Sequence, residues 1–396
     1  MTRRRILVTD GGQRSALAVV RSLGRAGHTV FVCAPRTPSI AGDSRHAIAQ
    51  ATVADALLAP EQFVSDVQSR IEQWRIDMVI PITEASLLAL LPVRERLGVT
   101  IPFPNATTFR AAADKGALLA AAPSVGIAVP QQLVLRAADD MRGIDPSLLD
   151  FPVVLKPSRS VGEHDGHRVA MGVRHAANAD ELRHTVRELS AAAFPLLVQQ
   201  RIVGPGTGVF LLIWDGRLIA SFAHRRLREK PPSGGVSVYS ESIAADPELV
   251  ERSTRLLQSL GWNGVAMVEY KRDARTGTAY LMEVNGRFWG SLQLAIDAGV
   301  DFPALLVAAA SGESPAPVTT YRVGVRSRWW WGEVDHLLAR WRGNARTRAL
   351  PAGAPSRLRA TLAFLTFWHP HDRSDVFRLG DVRPFVRETI EWLHRR

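Results

Sequence analysis

The sequence predicts an α/β chain that opens on a doubly wound parallel sheet and continues into a longer region of strands, hairpins and helices. Three observations carry this. Residues 5–34 read strand, glycine turn, helix, strand; residues 60–97 read helix, strand, helix; from residue 151 onward, apolar strand patterns alternate with turn residues and helices.

The elements follow in order. RILVTD, residues 5–10, is an apolar run of parallel-strand type, and GGQRS turns the chain into a helix over residues 16–26. Gly27 ends that helix and TVFVCAP is the next strand, which completes a βαβ unit. A helix over 60–75, the strand DMVIPIT and a helix over 85–97 form a second unit. The turn is only Gly11–Gly12, so the spacing needed to approach a pyrophosphate is absent. Gly11, Gly12, Arg14, Thr83 and Glu84 nonetheless stand at carboxyl ends of strands, where open α/β sheets place ligands.

A Pro-rich connection near residue 105 marks the first boundary. Beyond it come a helix near 115, the strand FPVVLKPS, a loop SVGEHDGHRV, a helix over 178–192 and the strand PLLVQQRIV. VFLLIWDGRLIASFAHRRL reads as strands and REKPPSGGVSVY as a polar loop. A helix over 246–260 precedes the strands WNGVAMVEYKRD and TAYLMEVNGRFW, and 291–312 is helical. After Glu313 the chain turns Pro-rich, then rich in Trp and Arg; residues 342–359 read as a basic loop, LRATLAFLTFW as a buried helix and 383–395 as a final helix. The expected division is 1–105, 106–318 and a Trp/Arg-rich extension over 319–396.

Composition narrows the class. The chain is 46% hydrophobic and 22% charged, in the range of a globular protein. A single cysteine, Cys33, excludes an intramolecular disulfide and a Cys-rich metal site. The N-terminal apolar run is too short for a signal peptide and no stretch has the length of a membrane span, so a cytoplasmic enzyme is expected. The net charge of +11 suits anionic small molecules, nucleic acid, a membrane surface, or a compositional bias toward Arg. Of 49 basic residues only Lys115, Lys156, Lys230 and Lys271 are lysines, which singles each of them out.

DARTGT reads as a hairpin turn that sets Glu269 opposite Glu283, with Asn285 on the face of Glu283. Opposed carboxylates repel. Two readings stand: a hard divalent cation between them, or pairing with Arg or Lys across the sheet. Lys156 ends an apolar strand, either as a stem snorkelling to solvent or as a phosphate ligand beneath a loop whose donors are Ser158, Arg159 and Ser160 and whose glycines are Gly162 and Gly166. His224, Arg225, Arg226, Arg228, Glu229 and Lys230 lead to the Gly234–Gly235 turn, as a solvated basic loop or as one where Arg225 or Arg226 grips a substrate carboxylate.

The ordered set DK, FPVVLKPS, LVQQRIVGPG, VEY and LMEVNGR resembles the ATP-grasp superfamily, in particular the carbamoyl-phosphate-synthase-like carboxylate–amine ligases. The resemblance covers nearly all of residues 5–312. It implies a Rossmann-like N-terminal domain and two α+β lobes with ATP between their sheets. It implies Lys115 and Lys156 on ATP phosphates, with Ser158, Ser160 and Gly162 in the covering loop. The backbone of Gln199, Gln200 and Ile202 would meet the adenine edge. Glu269, Glu283 and Asn285 would hold Mg²⁺ or Mn²⁺, and Arg287 would steady the transferred phosphoryl group. The reaction implied is formation of an acyl phosphate on a small-molecule carboxylate and its displacement by an amine, in a protein that by analogy is a homodimer. A kinase and a non-catalytic ATP-binding module stay open as alternatives. Two departures stand out: GPGTGVF lacks the acidic residue that many members place on the ribose, and GEHDG is not a glycine run. Nucleic acid is not an expected partner. For the extension, packing of Trp329, Trp330 and Trp331 onto the body is preferred over a membrane-interface helix or a stacking patch for nucleic acid built with Arg326, Arg328 and Arg340.

Overall fold

The computed structural model describes residues 3–164, 167–232, 235–342, 355–365 and 372–395. The chain begins with β1 (Arg5–Val8), α1 (Arg14–Arg25), β2 (Thr29–Ala34), β3 (Ala47–Thr52), α2 (Pro60–Trp74), β4 (Met78–Ile80), α3 (Glu84–Leu90) and α4 (Arg94–Leu97). The four strands lie in the order β3-β2-β1-β4, all parallel. β3 has no strand pattern of its own, because AIAQAT holds one large apolar residue, Ile48, among small and polar ones; pairing with β2 makes it a strand. The helix expected over 85–97 is broken at Pro92, which has no N–H and crowds the preceding turn.

α5 (Ala106–Ala113) and α6 (Lys115–Ala121) meet at Asp114, whose carboxylate caps α6 by accepting from the Ala117 N–H. A small lobe follows: β5 (Gln132–Leu135), β6 (Val153–Pro157), β7 (Val161–His164), β8 (His167–Ala170), β9 (Arg174–Ala176), α7 (Ala179–Glu188) and β10 (Leu196–Gln200). Its sheet runs β5-β10-β6-β9 over a core of its own built from Leu135, Val153, Leu155, Leu182, Leu196 and Val198. The expected loop after Ser158 is instead the hairpin β7–β8; its tip, Asp165–Gly166, lies outside the described residues.

The large sheet is made of β11 (Gly206–Trp214), β12 (Arg217–Lys230), β13 (Val236–Ser242), then, after α8 (Pro247–Ser259), β14 (Gly264–Arg272) and β15 (Ala279–Asn285). α9 (Leu292–Ala298) and α10 (Phe302–Ala310) separate at Gly299, which caps α9 in the left-handed region. The chain ends with β16 (Arg326–Arg328), α11 (Trp330–Arg342), α12 (Arg357–Leu365), β17 (Asp372–Ser374) and α13 (Arg383–His394). The sheet order is β15-β14-β11-β12-β13-β16-β17, so residues 319–396 supply its last two strands.

Three further expectations are corrected. REKPPSGGVSVY is mostly strand, because Arg228 and Lys230 are drawn to Glu333 and Asp335 of α11; Gly234 lies outside the described residues. Of the expected buried helix LRATLAFLTFW, the described part is helical but has no buried residue, and residues 366–368 lie outside the described residues. Of the basic stretch 342–359, residues 343–354 lie outside the described residues and the last three begin α12. Trp329, Trp330 and Trp331 take the packing alternative. Arg14 stacks 3.9 Å over Trp329, Arg328 lies over Trp330, and Trp331 stacks on Trp392 at 4.2 Å. Among the described residues no single helix is long and apolar enough to cross a membrane; α9 and α10 together meet the length and composition but are bent 90° apart, and much of both is buried.

Candidate active site

The β14–β15 hairpin turns through Asp273, whose carboxylate accepts from the Arg275 and Thr276 N–H groups, and Gly277 at φ +74°. That register sets Glu269 opposite Glu283, with a bulge immediately after Glu269. The same row crosses β11 at Gly208 and β12 at His224, so Glu283, Glu269 and His224 share one face. Gly208 is required there: a Cβ would come within 2.6 Å of the Phe210 ring. Burial, with Arg226 adding, pushes His224 down to about 3, so this imidazole stays neutral.

Each carboxylate holds a cation. Arg226 reaches from β12 to Glu269 at 2.7 Å and to Glu229 at 2.9 Å. Lys115, at the start of α6, lies 3.6 Å from Glu283. Asn285 donates to Glu283 at 3.0 Å, and Arg287 donates to the Asn285 Oδ1 at 3.2 Å. Burial raises the Glu269 carboxyl above its ordinary value, with Arg226 opposing and Glu283 adding to the rise. Burial acts on Glu283 in the same sense, but Lys115, Asn285, Lys156 and Arg287 together hold it below its ordinary value. The two adjacent carboxyl groups are thus shifted in opposite directions.

Across the cleft, Lys156 leaves β6 with its ammonium 3.7 Å from Met282 Sδ and, among the described residues, no carboxylate within ion-pair distance. Burial lowers its pKa, opposed by Glu283 and Glu269. The Lys115 ammonium also donates to Ser160 Oγ at 2.9 Å. Gly162 admits the close passage of Ala192, whose carbonyl oxygen a Cβ would approach to 2.9 Å.

Several expected residues stand elsewhere. Ser158 is 2% exposed and its hydroxyl donates to Asp114 at 2.5 Å, so it locks β6 to α6 and is not turned toward a ligand. Gln199 lies inside the sheet between β5 and β6, and the Gln200 N–H donates to Gln131 O at 2.8 Å. Neither presents a free backbone donor to a purine edge; the buried Ile202 follows the strand. Arg225 lies on the opposite face from Arg226, by strand alternation, and is bound to Glu241 at 2.8 Å. Arg226 itself is committed to Glu229 and Glu269.

Glu84 was read only as a crevice residue. Burial raises its carboxyl, opposed by Arg287 and Lys115, with Glu283 adding to the rise, so the N-terminal domain faces the same cluster. Its signal was its place just past β4. Arg14, from the same expected crevice, turns instead to Asp375 and Trp329.

The donor set fits a hard cation shared with a polyphosphate. Among the described residues no group of three or more His, Cys, Asp or Glu forms an all-protein cage. Mg²⁺ is ordinarily held by one or two carboxylates together with substrate phosphates, and Glu269 and Glu283 are such a pair. Of the two expected readings, the cross-sheet pairing alternative is seen at Glu269, held by Arg226 of β12, while Glu283 pairs with Lys115 of α6.

Residues 193–331 match the family described as ATP-grasp in the biosynthetic pathway with Ter operon. A provisionally assigned D-alanine–D-lactate ligase from Streptomyces coelicolor is 24% identical over 253 residues, 58% of this chain and 69% of the relative. The structure is similar to an L-amino acid ligase from Bacillus licheniformis, with TM-score 0.61, 19% identity, and 79% of this chain and 77% of the other covered. It is similar also to the biotin carboxylase domain of 2-oxoglutarate carboxylase from Hydrogenobacter thermophilus, a dimer in complex with MgADP, ADP and bicarbonate. There the TM-score is 0.63, the identity 16%, and the coverage 82% of this chain and 74% of the other.

Proposed function

We propose that this chain, which has the ATP-grasp fold, is an ATP- and Mg²⁺-dependent ligase that joins a small-molecule carboxylate to an amine, giving ADP and phosphate. The observation that carries the reading is the opposed pair Glu269–Glu283 faced by the ammonium groups of Lys115 and Lys156. In this reading residues 1–105 and 106–318 are the pre-grasp and grasp domains, and 319–396 complete the larger lobe's sheet. The activities named for the relatives are ligations, which favours a ligase over a kinase, and the L-amino acid ligase favours an amine as acceptor.

Mg²⁺, held through oxygens of Glu269, Glu283 and Asn285, would offset charge on the phosphates. The chain's own residues do the rest. Lys156 is desolvated and, among the described residues, has no close carboxylate, so a phosphate oxygen would be a strong partner; in a low-dielectric cleft that attraction is large. Lys115 is placed between Ser160 and Glu283 and can turn to a phosphate without leaving its helix start. Arg287, held by Asn285, adds positive charge where the phosphoryl group passes to the carboxylate. The neutral amine then attacks the acyl carbon of the acyl phosphate; a C–N bond forms, phosphate leaves with the electron pair of the broken C–O bond, and the proton the amine gives up goes to the released phosphate. Arg226 orients Glu269 and does not touch the carboxylate substrate in this reading.

Titration calorimetry of ATP with and without Mg²⁺ tests the site without knowledge of the acceptor. Metal-dependent binding is expected, weakened about tenfold or more in Lys156→Ala, since a hydrogen bond to a charged group is worth about 1.5–3 kcal/mol. Folded protein that binds no ATP refutes the proposal. Product analysis then separates ligase from kinase: a ligase forms an adduct that retains no phosphate.

A further inference from the structure

α12 reads RLRATLAFL and stands out because it hides almost nothing. Leu358, Leu362 and Leu365 lie at i, i+4 and i+7, so they share one face, and they are 65%, 57% and 52% exposed. Trp341, at the end of α11, is 51% exposed, and its indole N–H donates to Thr361 Oγ1 at 3.1 Å, which fixes the ring beside α12. The helix is anchored from its carboxyl end: Ala363 O accepts from Arg228 at 3.3 Å and Phe364 O from Arg328 at 3.4 Å. The leucine face is therefore presented on a helix tied to the large sheet.

Charge identifies the partner. Residues 319–396 hold fifteen arginines against seven Asp and Glu, which is most of the chain's net +11. Between Asp335 and Asp372 there is no acidic residue and there are six arginines. Arg342, Arg357 and Arg359 are exposed beside the leucines and Trp341. Exposed leucines, an indole and guanidinium groups from a stretch of sequence free of acidic residues are what a helix lying in a bilayer interface presents. Leucines would contribute nothing to reading nucleotides, where stacking rings are needed. A second copy docked through this face would set arginine against arginine. α13 also exposes Val386, Ile390 and Leu393, but that helix carries two carboxylates, Glu388 and Glu391.

We infer that the face formed by Trp341 and α12 docks reversibly on an anionic phospholipid bilayer. Leu358, Leu362 and Leu365 enter the acyl boundary, and Arg342, Arg357 and Arg359 meet headgroup phosphates. The inference is independent of the nucleotide site.

The full chain is floated with vesicles of phosphatidylcholine alone or with phosphatidylglycerol added, at low and high salt. Co-flotation is expected only with phosphatidylglycerol, weakening as salt rises. Arg357→Gln with Arg359→Gln should weaken it about fivefold per arginine. Leu358→Ser with Leu365→Ser should abolish it while the melting curve stays unchanged, since both side chains are more than half exposed. Absence of flotation with phosphatidylglycerol overturns the inference, as does flotation that both double variants leave unchanged. Retention on RNA or DNA without flotation overturns it in favour of nucleic acid. A dimer in sedimentation that Leu358→Ser with Leu365→Ser dissociates, without flotation, overturns it in favour of self-association.

Discussion

Glu269 and Glu283 face each other, yet their surroundings differ. The Glu269 side chain is 17% exposed and clasped by Arg226, whereas Glu283 is 31% exposed and shares a looser contact with Lys115. Removing Glu283 therefore leaves Lys115 its bond to Ser160 and exposes no core. Glu283→Ala should lose at least about a hundredfold in ATP-dependent turnover with a nearly unchanged melting temperature, as when a preorganised electrostatic group is deleted. An active Glu283→Ala protein, assayed by phosphate release with an accepted carboxylate and amine, would sink the metal assignment. At this scale the sequence was legible where alternation alone decides: the hairpin turn fixes Glu269 against Glu283. It was not legible for Arg226 or Ser158, whose partners Glu269 and Asp114 lie about forty residues away and meet them only through the fold.

Elements add a pH dependence that single residues do not predict. α13 docks on α11 through Glu388, which accepts from the Trp329 indole at 2.7 Å, while Trp331 stacks on Trp392. Burial pushes the Glu388 carboxyl from 4.5 up to about 7, with the Trp329 hydrogen bond and Arg14 opposing. Between those values the folded chain holds a proton that the unfolded chain has released. The contribution to stability is thus fullest below about 4.5 and lost as pH rises through about 7. Over that range it amounts to about 3 kcal/mol. Glu388→Gln keeps an acceptor for Trp329 and removes the titration. Glu333, which burial also pushes up to about 7, titrates in both chains, so thermal melts from pH 5 to 8 should show a steeper decline in the parent chain than in the variant; equal slopes would place the ionisation elsewhere. The sequence announced α13 by its periodicity, but β3 and β13 could be read only with their neighbours. β3 has too little apolar character to declare itself, and the end of β12 is fixed by Glu333 and Asp335 a hundred residues on.

Over the whole molecule, the last residues close on the first. Arg21 of α1 is 2% exposed and donates to Asp381 at 2.8 Å and to Val376 O at 2.8 Å; Asp381 also takes Ser44 and the Arg45 N–H. The main core runs from Ile6 to Val376. The sequence suggested a separable extension because its Arg and Trp content differs from the body, but composition cannot reveal that β16 and β17 finish a sheet begun near residue 206. Asp381→Ala leaves the Arg21 guanidinium buried without its counter-ion and should cost about 3–5 kcal/mol, read as a shifted urea midpoint at unchanged slope. Deleting residues 319–396 goes further: it bares the edge of β13, strips the partner from Arg21 and should leave no cooperative transition. A truncated chain that melts as sharply as the parent would mean that the sheet and the Arg21 site are stable alone. The extension would then be an appendage, and its lipid-facing helix could be studied apart from the nucleotide site. Loss of the transition means that α12 and the site between the sheets are borne by one cooperative body. Whatever holds α12 at a surface then also fixes where that site sits.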